Sequence, residues 1–217
     1  MLKAEGIFKS YGSLPVLKGI DIAIEPNQVV SIVGSSGSGK STLLHILGTL
    51  DRPDRGALTL NNKNVLSLSS QKMAAFRNEE IGFIFQFHNL LPEFTAIENV
   101  CIPGFIGKRP EKEVKKRAHE LLNLLNIKDR GDHKPSELSG GEQQRISVAR
   151  ALINSPSIVF ADEPSGNLDS KNADELHQLF FDLRKELNQT FVVVTHNESL
   201  ADMADHKFVI ADGVIEK

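Results

Sequence analysis

Gly34-Ser35-Ser36-Gly37-Ser38-Gly39-Lys40-Ser41 matches G-x-x-x-x-G-K-[ST] at every specified position. The spacing describes a surface built for a polyphosphate. Gly34, Gly37 and Gly39 remove side chains that would hold phosphate oxygens away from backbone N–H groups, and they permit positive φ. The loop amides can then form a concave anion site at a helix N-terminus, where the dipole favours negative charge. Lys40 adds a full charge for the β- and γ-phosphates, and the Ser41 hydroxyl can ligate Mg²⁺. A merely flexible Ser/Gly loop would not explain Lys40-Ser41.

Four further stretches carry candidate chemistry. Asp162-Glu163 follows the apolar run Ile158–Ala161. Acids at the end of a buried strand suit a metal site, with Asp162 on Mg²⁺ and Glu163 near enough to orient or deprotonate water. Ser139-Gly140-Gly141-Glu142 opens a helix running to Leu152, and Ser139 with Glu142 fits a capping box. Two glycines there are costly unless the backbone must approach something, which makes this a second candidate anion site. Because the first site already takes the triphosphate, the second would serve the nucleotide of another copy in a two-fold dimer. Gln86 and His196 each stand where an apolar run ends. Open α/β sheets bind ligands at those strand ends, which favours a functional reading of His196. Tyr11, the only tyrosine, is equally well a half-buried residue at a strand end or a ring that stacks on a base.

The elements that must hold these residues follow from period and punctuation. Val29–Val33 reads as a buried strand before the phosphate loop, and Thr42–Leu47 as the helix after it. Ile81–Phe85, Ile158–Ala161 and Phe191–Val194 read as further buried strands. Leu2–Phe8 and Ile20–Ile24 read as strands and Ala57–Leu60 as a short one, with turns at Asn61-Asn62 and Asp212-Gly213. Ser70–Arg77 reads as a short helix. Val114, Ala118, Leu121, Leu122 and Leu125 recur at helical spacing, so Lys112, Lys115, Lys116 and Arg117 form a solvated face. Leu176, Leu179, Phe180, Leu183 and Leu187 form a second stripe. Thr195 and Glu198 could cap a last helix. Phe87–Cys101 reads as a long loop rich in apolar residues. The sequence slightly favours a satellite cluster over an exposed groove for a partner.

The 217 residues suit one domain with a substantial core, and 40% hydrophobic with 24% charged residues is ordinary for a globular chain. A net charge of −3 and a pI near 6.2 give no support to binding nucleic acid or anionic membrane through bulk charge. Cys101 is the single cysteine, so no internal disulfide forms, and a reducing compartment is the simplest setting. The opening MLKAEGIFKSYG lacks the apolar core of a signal peptide. No apolar run approaches bilayer-spanning length, so action at a membrane would need another chain to span it.

Taken in order, these pieces resemble the ATP-binding subunit of ABC transporters over nearly the whole chain. The most specific stretch is Leu138–Arg145, LSGGEQQR, which looks like the ABC signature. The resemblance implies an α/β fold: a phosphate-loop core of mainly parallel strands, an antiparallel β subdomain from residues 1–30 and 57–66, and a helical subdomain over 87–155. It implies ATP and Mg²⁺ as ligands. Tyr11 would stack on adenine; Gly34 to Thr42, with Ser35, Ser36, Ser38 and Lys40, would hold the phosphates. Ser41, Gln86 and Asp162 would contact Mg²⁺, Glu163 would be the catalytic base and His196 would touch the γ-phosphate. Ser139 to Glu142 and Asp169 would act across an ATP-bound homodimer. Permease subunits would meet the Gln86–Val100 region, at the cytoplasmic face of a bacterial inner membrane. Within the family, QFHNLLPEFTAIENV and ADEPSGNLDS look like the lipoprotein-releasing branch, close to macrolide-exporter and cell-division ATPases. Ser165 stands where the family more often has Thr. A soluble relative acting on DNA or ribosomes, or a regulator gating a cell-wall hydrolase, are the rival expectations.

Overall fold

A computed structural model describes residues 1–216. Its centre is a six-stranded sheet whose parallel strands are β3 (Val29–Val33), β6 (Ile81–Phe85), β7 (Ile158–Asp162), β8 (Thr190–Val194) and β9 (His206–Ala211). With the edge strand β10 (Val214–Ile215), antiparallel to β9, the spatial order is β10-β9-β3-β8-β7-β6. A second, antiparallel sheet joins β1 (Leu2–Tyr11), β2 (Leu14–Ile24), β4 (Arg55–Leu60) and β5 (Lys63–Asn64) in the order β2-β1-β4-β5. The fold is α/β, as the strand and helix patterns require.

Alternation along the central strands divides their side chains between two cores. Val30, Ile32, Ile158, Phe160, Val192 and Val194 point towards the antiparallel sheet and helices α1 (Lys40–Leu47) and α2 (Ser70–Glu80). Val29, Val159, Ala161, Phe191 and Val193 face the opposite layer. That layer is α3 (Ala96–Ile106), α4 (Glu111–Leu124), α5 (Gly140–Leu152) and α6 (Ser170–Leu187). Burial on both faces is why these strands read as unbroken apolar runs. The α4 stripe from Val114 to Leu125 is fully buried, while Lys115 and Lys116 lie in solvent and pair with Glu111 and Glu120.

Three expectations change. The first two strands extend to Tyr11 and begin at Leu14, because pairing with each other and with β4 continues past the apolar residues. The last six residues of Phe87–Cys101 are not loop: Thr95 and Glu98 form a reciprocal capping box that starts α3 at Ala96. The last helix, α7 (Glu198–Met203), is capped by the Asn197 side chain on the Leu200 N–H, not by Thr195 with Glu198. The Thr195 hydroxyl instead accepts from the Asn197 N–H. Among the described residues no helix is long and apolar enough to cross a membrane.

Candidate active site

The adjacent parallel strands β3, β8 and β7 end side by side, so the loops that follow them meet. Thr195 N–H donates to the Ile32 carbonyl and Glu163 N–H to the Val194 carbonyl, which ties the three tips together. A hollow of about 250 Å³ lies there, lined by Gly37, Gly39, Lys40, Ser41, Glu163 and His196 among others. Thus the phosphate loop, the second acid and the histidine, distant in sequence, share one cavity.

Lys40 Nζ donates to the Gly34 and Ser35 carbonyls at 3.0 and 2.8 Å. Among the described residues it makes no ion pair, so its charge remains available to an anion. Ser41 Oγ donates to Asp162 Oδ1 at 3.0 Å. A hydroxyl and a carboxylate meeting here offer the oxygen-only ligands a hard cation such as Mg²⁺ takes. His45 lies 3.8 Å from the other Asp162 oxygen. The loop is also sterically committed: a Cβ on Gly34 would stand 2.1 Å from the Ile210 carbonyl of β9. Gly34→Ala is therefore expected to lower stability by about 2–4 kcal/mol through backbone overpacking, read as a shift in the urea midpoint.

Glu163 sits at φ 46°, a left-handed conformation that costs a side-chain-bearing residue on the order of 1 kcal/mol and clusters at functional sites. It aims the carboxylate back at the loop after β8. His196 N–H donates to Glu163 Oε2 at 3.2 Å, and the imidazole Nε2 lies 3.1 Å from Oε1 without hydrogen-bond geometry. Burial pushes the Glu163 carboxyl above the ordinary glutamate range; the His196 and Lys40 charges pull the other way, and Asp162 adds to the rise. A raised carboxyl with one oxygen free of hydrogen bonds is equipped to take a proton from water.

The remaining predicted residues are not all gathered here. Gln86, at the tip of β6, is turned to the loop after β7: its Nε2 donates to Asn167 at 3.2 Å, and Asn167 returns a bond to the Gln86 carbonyl. Tyr11 is the last residue of β1 and is 51% exposed, its hydroxyl donating to Asp51 and Lys9 lying over its ring, so it is a half-buried residue at a strand end. Asp169 caps α6 through the Asn172 N–H.

Ser139, Gly141 and Glu142 line a separate hollow of about 670 Å³ that shares no residue with the first. Ser139 and Glu142 cap each other as expected. A Cβ on Gly140 would only touch Leu168 at 3.6 Å, an ordinary contact, but one on Gly141 would stand 2.7 Å from the Asn172 side chain, so part of the demand for glycine is internal. Glu142 Oε1 also takes the Arg130 Nε–H at 2.6 Å. The Arg130 guanidinium first, and then the Ser139 N–H, bring its carboxyl down to about 2.

Two further polar contacts have no counterpart among the expectations. Arg150 of α5 donates to the His88 and Asn89 carbonyls at 2.7 and 2.6 Å, clamping the segment after Gln86. His177 of α6, buried, contacts the Ser165 hydroxyl at 2.9 Å. Neither lies in a local pattern; only the fold brings the partners together.

A family model described as ABC transporter matches residues 17–166. The lipoprotein-releasing system ATP-binding protein LolD of Cytophaga hutchinsonii is 63% identical over 99% of this chain and 98% of its own length. Its counterpart in Bacteroides fragilis is 59% identical over 99% and 100%. A dimeric structure of an ATP-binding cassette in a post-hydrolysis state, bound to ADP and Pi, superimposes with a TM-score of 0.90 at 39% identity, covering 100% of this chain and 97% of that one.

Proposed function

The chain belongs to the ABC transporter family, and from that premise we propose that it is the ATP-hydrolysing subunit of a membrane complex that releases lipoproteins from the inner membrane towards the outer membrane. The lipoprotein-releasing assignment of relatives matched end to end supports the cargo. The observation that carries the chemistry is the convergence of Lys40, Ser41, Glu163 and His196 on one hollow.

In this reading ATP lies on the amides of the Gly34–Thr42 loop, with Lys40 on its outer phosphates and Tyr11 near the base. Ser139–Glu142 of a second copy closes on the same nucleotide, and Asp169 acts across that seam. Mg²⁺, held by Ser41, Asp162 and Gln86, would neutralise charge on the phosphate oxygens. Gln86 would join by exchanging its bond to Asn167. Glu163 accepts the proton of the attacking water, and His196 holds its carboxylate through the backbone N–H. Size-exclusion chromatography with ATP and Mg²⁺, beside a phosphate-release assay, tests the reading. An ATP-dependent dimer with turnover is expected; a protein that stays monomeric in saturating ATP refutes it.

The base must be ionised to act, and its carboxyl is raised. The acid limb of the kcat–pH profile is therefore expected above the ordinary glutamate range, with turnover falling as pH drops through that limb. Measuring kcat from pH 5 to 8 checks this.

The membrane partner would engage the Gln86–Val100 region of the helical layer. Phe87 is 70% exposed, and Leu91, Phe94, Phe105 and Ile106 are exposed too, an apolar concentration that suits a buried interface better than solvent. Beside them runs a groove of about 430 Å³ lined by Phe83, Phe85, Pro103, Ile106, Ile153 and the Arg150 clamp. Phe87→Asp should cut recovery of the membrane subunits with the tagged chain several-fold while leaving its isolated ATP affinity unchanged, as read by co-purification from solubilised membranes and by nucleotide titration.

A further inference from the structure

The first turn of α5 contains a contradiction. A helix N-terminus attracts anions, yet Glu142 places a carboxylate in that turn, where it would repel an arriving triphosphate. The chain resolves this through Arg130, twelve residues upstream in the turn after α4. Its Nε–H meets Glu142 Oε1 at 2.6 Å, while Oε2 accepts from the Ser139 N–H and hydroxyl, both at 2.8 Å. Both carboxylate oxygens are thereby turned onto their own chain.

The charges of the hollow can be counted. Its lining carries Arg130 and Arg145 against Asp129, Glu142 and Glu175. Arg145 is already committed to Glu175 at 2.9 Å. Among the described residues Arg130 is thus the only lining cation left for the carboxylate nearest the glycine turn, and without it the lining holds Glu142 and Asp129 with no cation free to offset them.

We propose that Arg130 is a positioning residue for the nucleotide bound by the partner copy, holding and neutralising Glu142 so that the turn at Gly140–Gly141 can receive a triphosphate. This rests on the ATP-bound dimer proposed above. An ion pair as exposed as this one adds little to folding. Its effect grows when a second copy covers it, because expelling water lowers the local dielectric and strengthens each charge interaction.

The test is dimerisation in the Glu163→Gln background with ATP, measured by sedimentation. Adding Arg130→Ala should weaken the dimer about tenfold. Adding Glu142→Gln to that variant should bring it back to within about twofold, because glutamine keeps the capping box without the charge. ATP affinity of the dilute monomer, governed by its own phosphate loop, should not move. Arg130→Ala dimerising like its parent, or Glu142→Gln failing to rescue it, overturns the proposal. If the Glu163→Gln parent itself does not dimerise with ATP, the dimer reading fails first and this inference falls with it.

Discussion

Glu163→Gln is expected to bind ATP as the parent does and to hydrolyse it at least about a hundredfold more slowly, the scale set by losing a positioned general base. Glutamine matches glutamate in shape. It keeps an acceptor for the His196 N–H and occupies the same left-handed backbone position. What it cannot do is take a proton. Binding survives, chemistry stops, and the nucleotide-bridged dimer should accumulate instead of reopening. Steady-state phosphate release, filter binding and size-exclusion chromatography read these outcomes separately. Turnover within a few-fold of the parent would remove Glu163 from the role of base and direct attention to another acceptor for that proton.

Lys40→Ala is expected to lower ATP affinity roughly a hundredfold, as removal of charge-assisted hydrogen bonds to a phosphate predicts. The lysine also carries part of the loop's shape, since it bridges the Gly34 and Ser35 carbonyls. Both roles need a slender stem ending in a compact charge, so Lys40→Arg should not restore binding: a planar guanidinium cannot occupy the same buried channel. Nucleotide titration of the three proteins, with thermal melts to confirm folding, decides it. Unchanged affinity in Lys40→Ala would contradict the phosphate contact.

The parts of the site legible in sequence are those where function forces a local pattern. The phosphate loop needs glycines at fixed spacing between a strand and a helix, and α1 follows it, beginning at Lys40, two residues before the expected start at Thr42. Asp162, Glu163 and His196 could be placed because buried parallel strands are unbroken apolar runs, so a polar residue at the end of one stands out. Non-local contacts were not legible. Nothing near Gln86 in sequence announces that its side chain would bond Asn167. Nor does a lone Arg130 advertise Glu142. The apolar stretch after Gln86 was ambiguous for a further reason: Leu90 and Ile97 pack on the core while Phe87, Leu91 and Phe94 remain exposed. One segment holds both the satellite cluster and the open surface. The cap of α7 was misassigned because Thr195 and Asn197 are both good caps, and the hydroxyl of the first is used to seat the second.

The position of β3 has a consequence for biosynthesis. Both strands that flank it, β8 and β9, are made more than 150 residues after it, and the Ile210 carbonyl that walls off Gly34 comes from the same late stretch. At ribosomal speeds the phosphate-binding turn therefore waits on the order of ten to thirty seconds for its neighbours. During that interval a nascent chain owns the motif but not the receptacle. Unfinished copies should then be unable to sequester cellular ATP or to pair prematurely with completed ones.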